Sequence, residues 1–318
     1  MKHYRQYRIY SQKFVCSHET SLGEWKKRQS IVLRQEDEQG RVSFGEVLPT
    51  IGFVNPDFDE LLSVVNAWSN GKDVKRNPLI SSALSCLNSK IWDIPKNDFV
   101  SESVFSAELL NSNLNISNKA KVLKKKIGLK SAIIEISEVL EFIKSLPIAS
   151  LIRLDANGSL SKTDLFAWNE ALSGEYRVQF LEQPFPKEKT DELIQIESKL
   201  DISLALDESL VWQNDLSFFK KAGWTGFYVI KPFLFPDWDQ VLSFIKSEPQ
   251  RSVVSTVFES PFGYEALIRC AAYSKMVAGI DRSLFQGDDR EFPQHHRTPL
   301  YPGSVASSSL DELWDSLL

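Results

Sequence analysis

The sequence predicts a (β/α) barrel of the TIM type, capped by an N-terminal α+β domain. Two observations carry the barrel. From about Ser103 short apolar runs alternate with amphipathic stretches, and three successive runs each end in an acid. The strand-rich texture of the first hundred residues carries the cap.

In the cap, Tyr4 to Val15, Ser30 to Arg34 and Arg41 to Val47 read as strands, with a turn at Glu38-Gln39-Gly40. Phe58, Leu61, Leu62, Val65 and Trp68 fall at helical spacing, with Asp57 as N-cap and Gly71 as stop. A second helix is expected over Ser81 to Trp92, ended by Pro95. In the barrel, strands are expected at Val104–Leu110, Val122–Ile127, Leu151–Leu154, Val178–Leu181, Ile202–Leu206, Gly226–Ile230, Ser252–Val257 and Val277–Gly279. Helical segments between them include Leu165–Leu172, Asp191–Lys199, Leu216–Ala222, Trp238–Ile245 and Tyr264–Tyr273. The expected division is a cap over 1–100, a catalytic barrel over 101–285, and a segment over 286–318 that packs back on the cap.

Composition narrows the partners. A formal net charge of -5 argues against a nucleic acid held by bulk electrostatics. No apolar run is long enough for a transmembrane helix, and the N-terminus lacks a secretory apolar core. Cys16, Cys86 and Cys270 are odd in number and far apart, which fits reduced thiols and a cytoplasmic setting. The four histidines lack zinc-site spacing, and His295-His296 read as surface or packing residues. A metal bound here is expected to be hard and oxygen-ligated. The oligomeric state is not legible.

The acids are Asp155, Glu182 and Asp207, separated by roughly 25 residues, about one βα unit of a barrel. One acid at a strand end is more often a helix cap. Three on consecutive strands gather at one rim, where they repel unless a cation sits among them, and oxygen ligands suit Mg²⁺. Lysines flank the series. Lys124 and Lys126 share one strand face while Lys125 takes the other, and Lys231 ends Phe227-Tyr228-Val229-Ile230. Lysine with a metal suits removal of a proton alpha to a carboxylate, a combination already known from enolase-type sites.

These pieces resemble the enolase superfamily: Lys124-x-Lys126, Leu154-Asp155-Ala156-Asn157, Leu181-Glu182-Gln183-Pro184, Leu206-Asp207-Glu208-Ser209 and Val229-Ile230-Lys231-Pro232. Gly45-Glu46-Val47-Leu48-Pro49 and Gly52-Phe53 extend the likeness into the cap. Within the superfamily the chain is most similar to the o-succinylbenzoate synthases, on the cap motif, Arg153–Asn157 and Ser255-x-x-x-Glu259-Ser260. The resemblance implies a (β/α)7β barrel, Mg²⁺ with Mn²⁺ as a substitute, and dehydration of a small cyclohexadiene carboxylate. It implies Lys126 as base, Lys231 as a cation on the opposite face, and Asp155, Glu182 and Asp207 as metal ligands. Lys124, Asn157, Ser260 and Gly279 become expected substrate contacts. Glu208 and Arg153 are expected to support the ligands from behind, with Glu208 also readable as a helix-start acid. The stretch Cys16 to Arg28 is expected to be a mobile covering loop, with Trp25, Lys26 or Arg28 meeting a second carboxylate. A dipeptide or N-acylamino acid epimerase is the alternative, because such enzymes use the same two lysines.

Overall fold

The computed structural model describes residues 4–20, 23–50, 53, 56–74, 77–93, 103–110, 121–284, 299–303 and 307–317. The cap is an antiparallel sheet of β1 (Tyr4–Thr20), β2 (Gly23–Glu36) and β3 (Val42–Val47), in that order. Two helices follow, α1 (Phe58–Ser69) and α2 (Pro78–Asn88). Asp57 caps α1 by accepting from the Glu60 amide, and Asn77 caps α2 through Ile80. α2 lies hard against β3: a Cβ on Gly45 would stand 2.1 Å from the Ala83 carbonyl oxygen. Only glycine permits that approach.

The barrel runs β4 (Glu108–Leu109), β5 (Val122–Lys126), α3 (Ala132–Ser145), β6 (Leu151–Asp155), α4 (Lys162–Leu172), β7 (Val178–Glu182) and α5 (Thr190–Glu197). It continues with β8 (Leu204–Leu206), α6 (Glu208–Gln213), α7 (Leu216–Lys221), β9 (Phe227–Ile230), α8 (Trp238–Ser247), β10 (Ser252–Val254) and α9 (Pro261–Ala271). All seven strands are parallel neighbours in chain order. Parallel bridges Ser106↔Ala278 and Ser255↔Gly279 join residues 278–279 to both edges of the sheet. The eighth expected strand is thus reduced to two bridges that close the ring, and the fold is the (β/α)7β barrel with its α+β cap. The expected strands at Val104–Leu110 and Ser252–Val257 are shorter than the sequence suggested.

A final helix, α10 (Ser307–Ser316), was not anticipated. Its Trp314 packs against Phe44 of the cap and Phe262 of α9, with the Arg8 guanidinium over its ring. His295-His296 lie outside the described residues, as does Gly52.

Residues 16–20 and 23–28, the described part of the expected loop, do not form one. They belong to β1 and β2, which pair from Tyr4↔Glu36 to Thr20↔Gly23 with one irregularity between Lys13 and His18. A ribbon this polar on both faces lacks the apolar alternation by which strands are read. Cap and barrel are joined largely through α2 and the start of α8. Ser89 Oγ donates to Asp239 (2.8 Å), the Trp238 amide to Ser85 Oγ (2.8 Å), and the Trp238 indole to Ser82 Oγ (3.3 Å).

Candidate active site

Parallel register brings the predicted side chains together. Lys126 pairs with Asp155, and Asp155 with Glu182, so three polar groups stand side by side at one rim. Asp207 follows β8 at the start of α6, and Lys231 follows β9. The strand face is as predicted at β5: Lys124 and Lys126 line the cleft, while Lys125 lies over the Phe142 ring of α3 outside.

These side chains open onto a single cleft at the rim. Lys124, Lys126, Asp155, Asn157, Asp207, Glu208, Lys231 and Gly279 all line it. Lys124 Nζ bridges Asp155 Oδ2 (2.9 Å) and Glu182 Oε1 (2.8 Å). Lys126 Nζ donates to the neutral Asn157 Oδ1 (2.8 Å), whose own amide donates to Glu208 Oε1 (3.2 Å). Lys231 is ion-paired to Asp207 and lies 5.2 Å from the Phe53 ring centroid.

This company sets the protonation of each group. Burial lowers the Lys126 pKa; Asp155 opposes that and Lys124 reinforces it, leaving the ammonium more acidic than usual. Burial also acts on Lys231, but Asp207, Glu208 and Glu182 outweigh it and raise its pKa. Lys124 is likewise raised, burial being overcome by Asp155 and Glu182. Burial, with Asp155 adding, pushes Glu182 up to about 7, and burial pushes Asp207 up to about 6 against the pull of Lys231.

Among the described residues, no three His, Cys, Asp or Glu side chains stand gathered as a metal shell. The lysine ammonium groups hold the carboxylate oxygens instead. The donor set nevertheless fits a hard divalent ion. It is carboxylate oxygen on three adjacent strands, and Asp207 Oδ1 and Glu208 Oε2 are buried without a hydrogen-bond partner.

Two expected residues lie outside the cleft lining. Ser260 is buried at the start of α9, where its amide and hydroxyl both donate to Glu46 of the cap. Its motif reports domain docking, and it does not line the cleft. Arg153 is buried in the barrel interior, donating to Gln179 Oε1 (2.6 Å) and the Val277 carbonyl (2.8 Å), with its guanidinium over Phe180. It makes no hydrogen bond to the acids and fills the barrel beneath them. Arg28 is also buried, reaching backbone of both domains. The Trp25 side chain lies outside the described residues, and Lys26 is exposed.

Gln183, whose backbone is left-handed at φ 39, has a role that sequence reasoning missed. Its Oε1 accepts from the Asp207 and Ser209 amides (3.0 and 3.1 Å), and its Nε2 donates to the Phe185 carbonyl and Ser209 Oγ (both 2.8 Å). Also unread were the cleft residues Thr50, Leu109, Thr256, Val257, Phe258 and Asp281.

Residues 118–232, which hold both flanking lysine positions and all three acids, match the family described as Enolase C-terminal domain-like. The o-succinylbenzoate synthase of Thermosynechococcus vestitus is 27% identical over 279 residues, 82% of this chain and 86% of that protein. One from Escherichia coli O7:K1 is 28% identical over 271 residues, 79% of this chain and 81% of its own length. Among solved structures, o-succinylbenzoate synthase from Thermosynechococcus elongatus, complexed with Mg in the active site, superposes with a TM-score of 0.75 at 23% identity, covering 98% and 99% of the two chains. The L-Ala-D/L-Glu epimerase of Bacillus subtilis gives 0.74 at 15% identity, covering 89% and 91%. At these identities the structural likeness speaks to fold.

Proposed function

We propose that the chain is a member of the enolase superfamily and, within it, an o-succinylbenzoate synthase, a lyase that dehydrates 2-succinyl-6-hydroxy-2,4-cyclohexadiene-1-carboxylate. The observation that carries this reading is the unequal company of the two lysines. Lys126 rests on a neutral amide, whereas Lys231 is paired with a carboxylate. A syn elimination needs one base and one fixed cation. An epimerase needs two lysines that exchange protons, so the asymmetry favours elimination over the epimerase reading.

In this reading Lys126 takes the proton alpha to the substrate carboxylate and returns it to the departing hydroxyl on the same face. The C–H bond breaks, the ring gains its third double bond, and the hydroxyl leaves as water. Lys231 holds positive charge against the opposite face as the enediolate forms. Lys124 lowers the pKa of Lys126 and balances Asp155 and Glu182. Asn157 orients the Lys126 ammonium and links it to Glu208. Asp155, Glu182 and Asp207 would hold Mg²⁺, or Mn²⁺ in its place, which supplies charge to the reacting carboxylate. Gly279 keeps the wall thin: a Cβ there would meet Ser255 Oγ at 3.1 Å.

The decisive experiment follows aromatisation of the cyclohexadiene substrate by ultraviolet absorbance with added Mg²⁺. Turnover that vanishes with chelator and returns with Mg²⁺ is expected. Racemisation of a dipeptide without dehydration would overturn the assignment in favour of the epimerase.

A further inference from the structure

The segment after β10 carries a non-glycine residue where glycine is usual. Phe258 has φ 67, in the left-handed region that a bulky side chain seldom occupies. Such conformations persist where the surroundings enforce them, and they concentrate at functional sites. Here the enforcement is visible. The Phe258 amide donates to Thr256 Oγ1 (2.7 Å), and the Val257 amide to Glu259 Oε1 (3.0 Å). The Phe258 carbonyl accepts from Arg28 Nε at 3.4 Å, across 230 residues of chain. The same guanidinium donates to the Pro49 carbonyl and to Thr50 Oγ1. Thr50 and Phe258 both line the cleft, so buried Arg28 ties its cap wall to its barrel wall from behind.

The ring is backed as well as the backbone. Phe14 of β1 meets it edge to face at 5.5 Å, and Leu109 and Leu284 complete a small apolar cluster. The charged groups of the cleft are engaged by the reacting carboxylate and the proton transfers. The rest of the ligand must lie against what remains, whose apolar part is Phe53, Ala107, Leu109, Val257 and Phe258; Phe53 already covers Lys231, and Phe258 is the other aromatic ring.

We propose that Phe258 is a specificity-determining residue that receives the unsaturated ring of the substrate, and that Arg28 is the positioning residue that holds it there. The inference deepens the synthase reading and rests on it for the ligand. Arg28 was expected to meet a substrate carboxylate; its work is instead on the protein's own backbone.

The test is calorimetric titration of the full chain with Mg²⁺ and o-succinylbenzoate, alongside kinetics. Phe258→Ala should weaken product binding and raise KM roughly tenfold, while kcat falls less than about threefold. Arg28→Gln should give the same KM-weighted loss, Arg28→Lys should recover part of it, and the double variant should be no worse than Phe258→Ala alone. Phe258→Gly should lose binding as Phe258→Ala does while its thermal midpoint stays above that of Phe258→Ala, because glycine relieves the left-handed backbone. That variant decides the Phe258 role even where Arg28→Gln fails to fold. Unchanged product affinity in Phe258→Ala overturns the proposal, as does full additivity in the double variant. A wild type that binds product without turning over the diene would sink the synthase assignment, and the affinity ratios would still decide the role of Phe258. A wild type that binds no product removes both.

Discussion

The two flanks of the cleft carry the same functional group in opposite surroundings. At the β5–β6 flank, Lys126 faces the neutral Asn157 amide and has Lys124 as neighbour on its own strand, so its proton is held loosely. At the β8–β9 flank, Lys231 is paired with Asp207, covered by the Phe53 ring, and keeps its proton. Identity of side chain therefore says little about role. Whether a lysine is a base or a fixed cation depends on what one barrel strand further round presents to it.

The sharpest test of that contrast removes the proposed base. Lys126→Ala should lower kcat about a thousandfold, and Lys126→Arg should fare no better, because guanidinium does not give up its proton near neutrality. Turnover above a tenth of wild type in either variant would break the comparison. Lys231→Ala should cost about a hundredfold through lost charge stabilisation, while Lys231→Arg should stay within roughly tenfold of wild type. If arginine were as damaging as alanine at Lys231, the residue would be transferring protons and the epimerase reading would regain ground. The smallest effect is in pH dependence. Lys126 must be neutral to act, so kcat/KM should rise as pH climbs through its lowered pKa and then level off. Asn157→Asp sets an anion beside the ammonium, raises that pKa, and should move the rising limb upward by about one pH unit. A limb that stays in place would show that it belongs to another group.

The acids and lysines were legible because barrel strands write function at a fixed place, the end of an apolar run, with alternate residues on one face. Asp155, Glu182, Asp207, Lys124, Lys126 and Lys231 all follow that rule. The cap ribbon was not legible: Ser17-His18-Glu19-Thr20 and Glu24 to Lys27 sit in strands without an apolar face to mark them. Ser260 was found as part of a motif but misassigned, since its partner is Glu46, distant in sequence. Arg153 lies beneath the acids, within electrostatic reach of Glu182. A charge on an inward strand position reads as part of the site, and its hydrogen bonds across the barrel show only in three dimensions. Phe258 escaped entirely and Arg28 was read only as a carboxylate contact, because a left-handed backbone and a contact between chain segments this remote leave no local pattern.

Gln183 has a wider consequence. One side-chain amide on the β7 edge holds the amides of Asp207 and Ser209, which follow the next strand. The position of the third acid is thus written into its neighbour. A lineage exploring new chemistry on this scaffold cannot respace one carboxylate at a time. It must revise adjacent strands as a pair, and a single-atom change such as Gln183→Glu, which sets oxygen against the Phe185 carbonyl, closes that route at its first step.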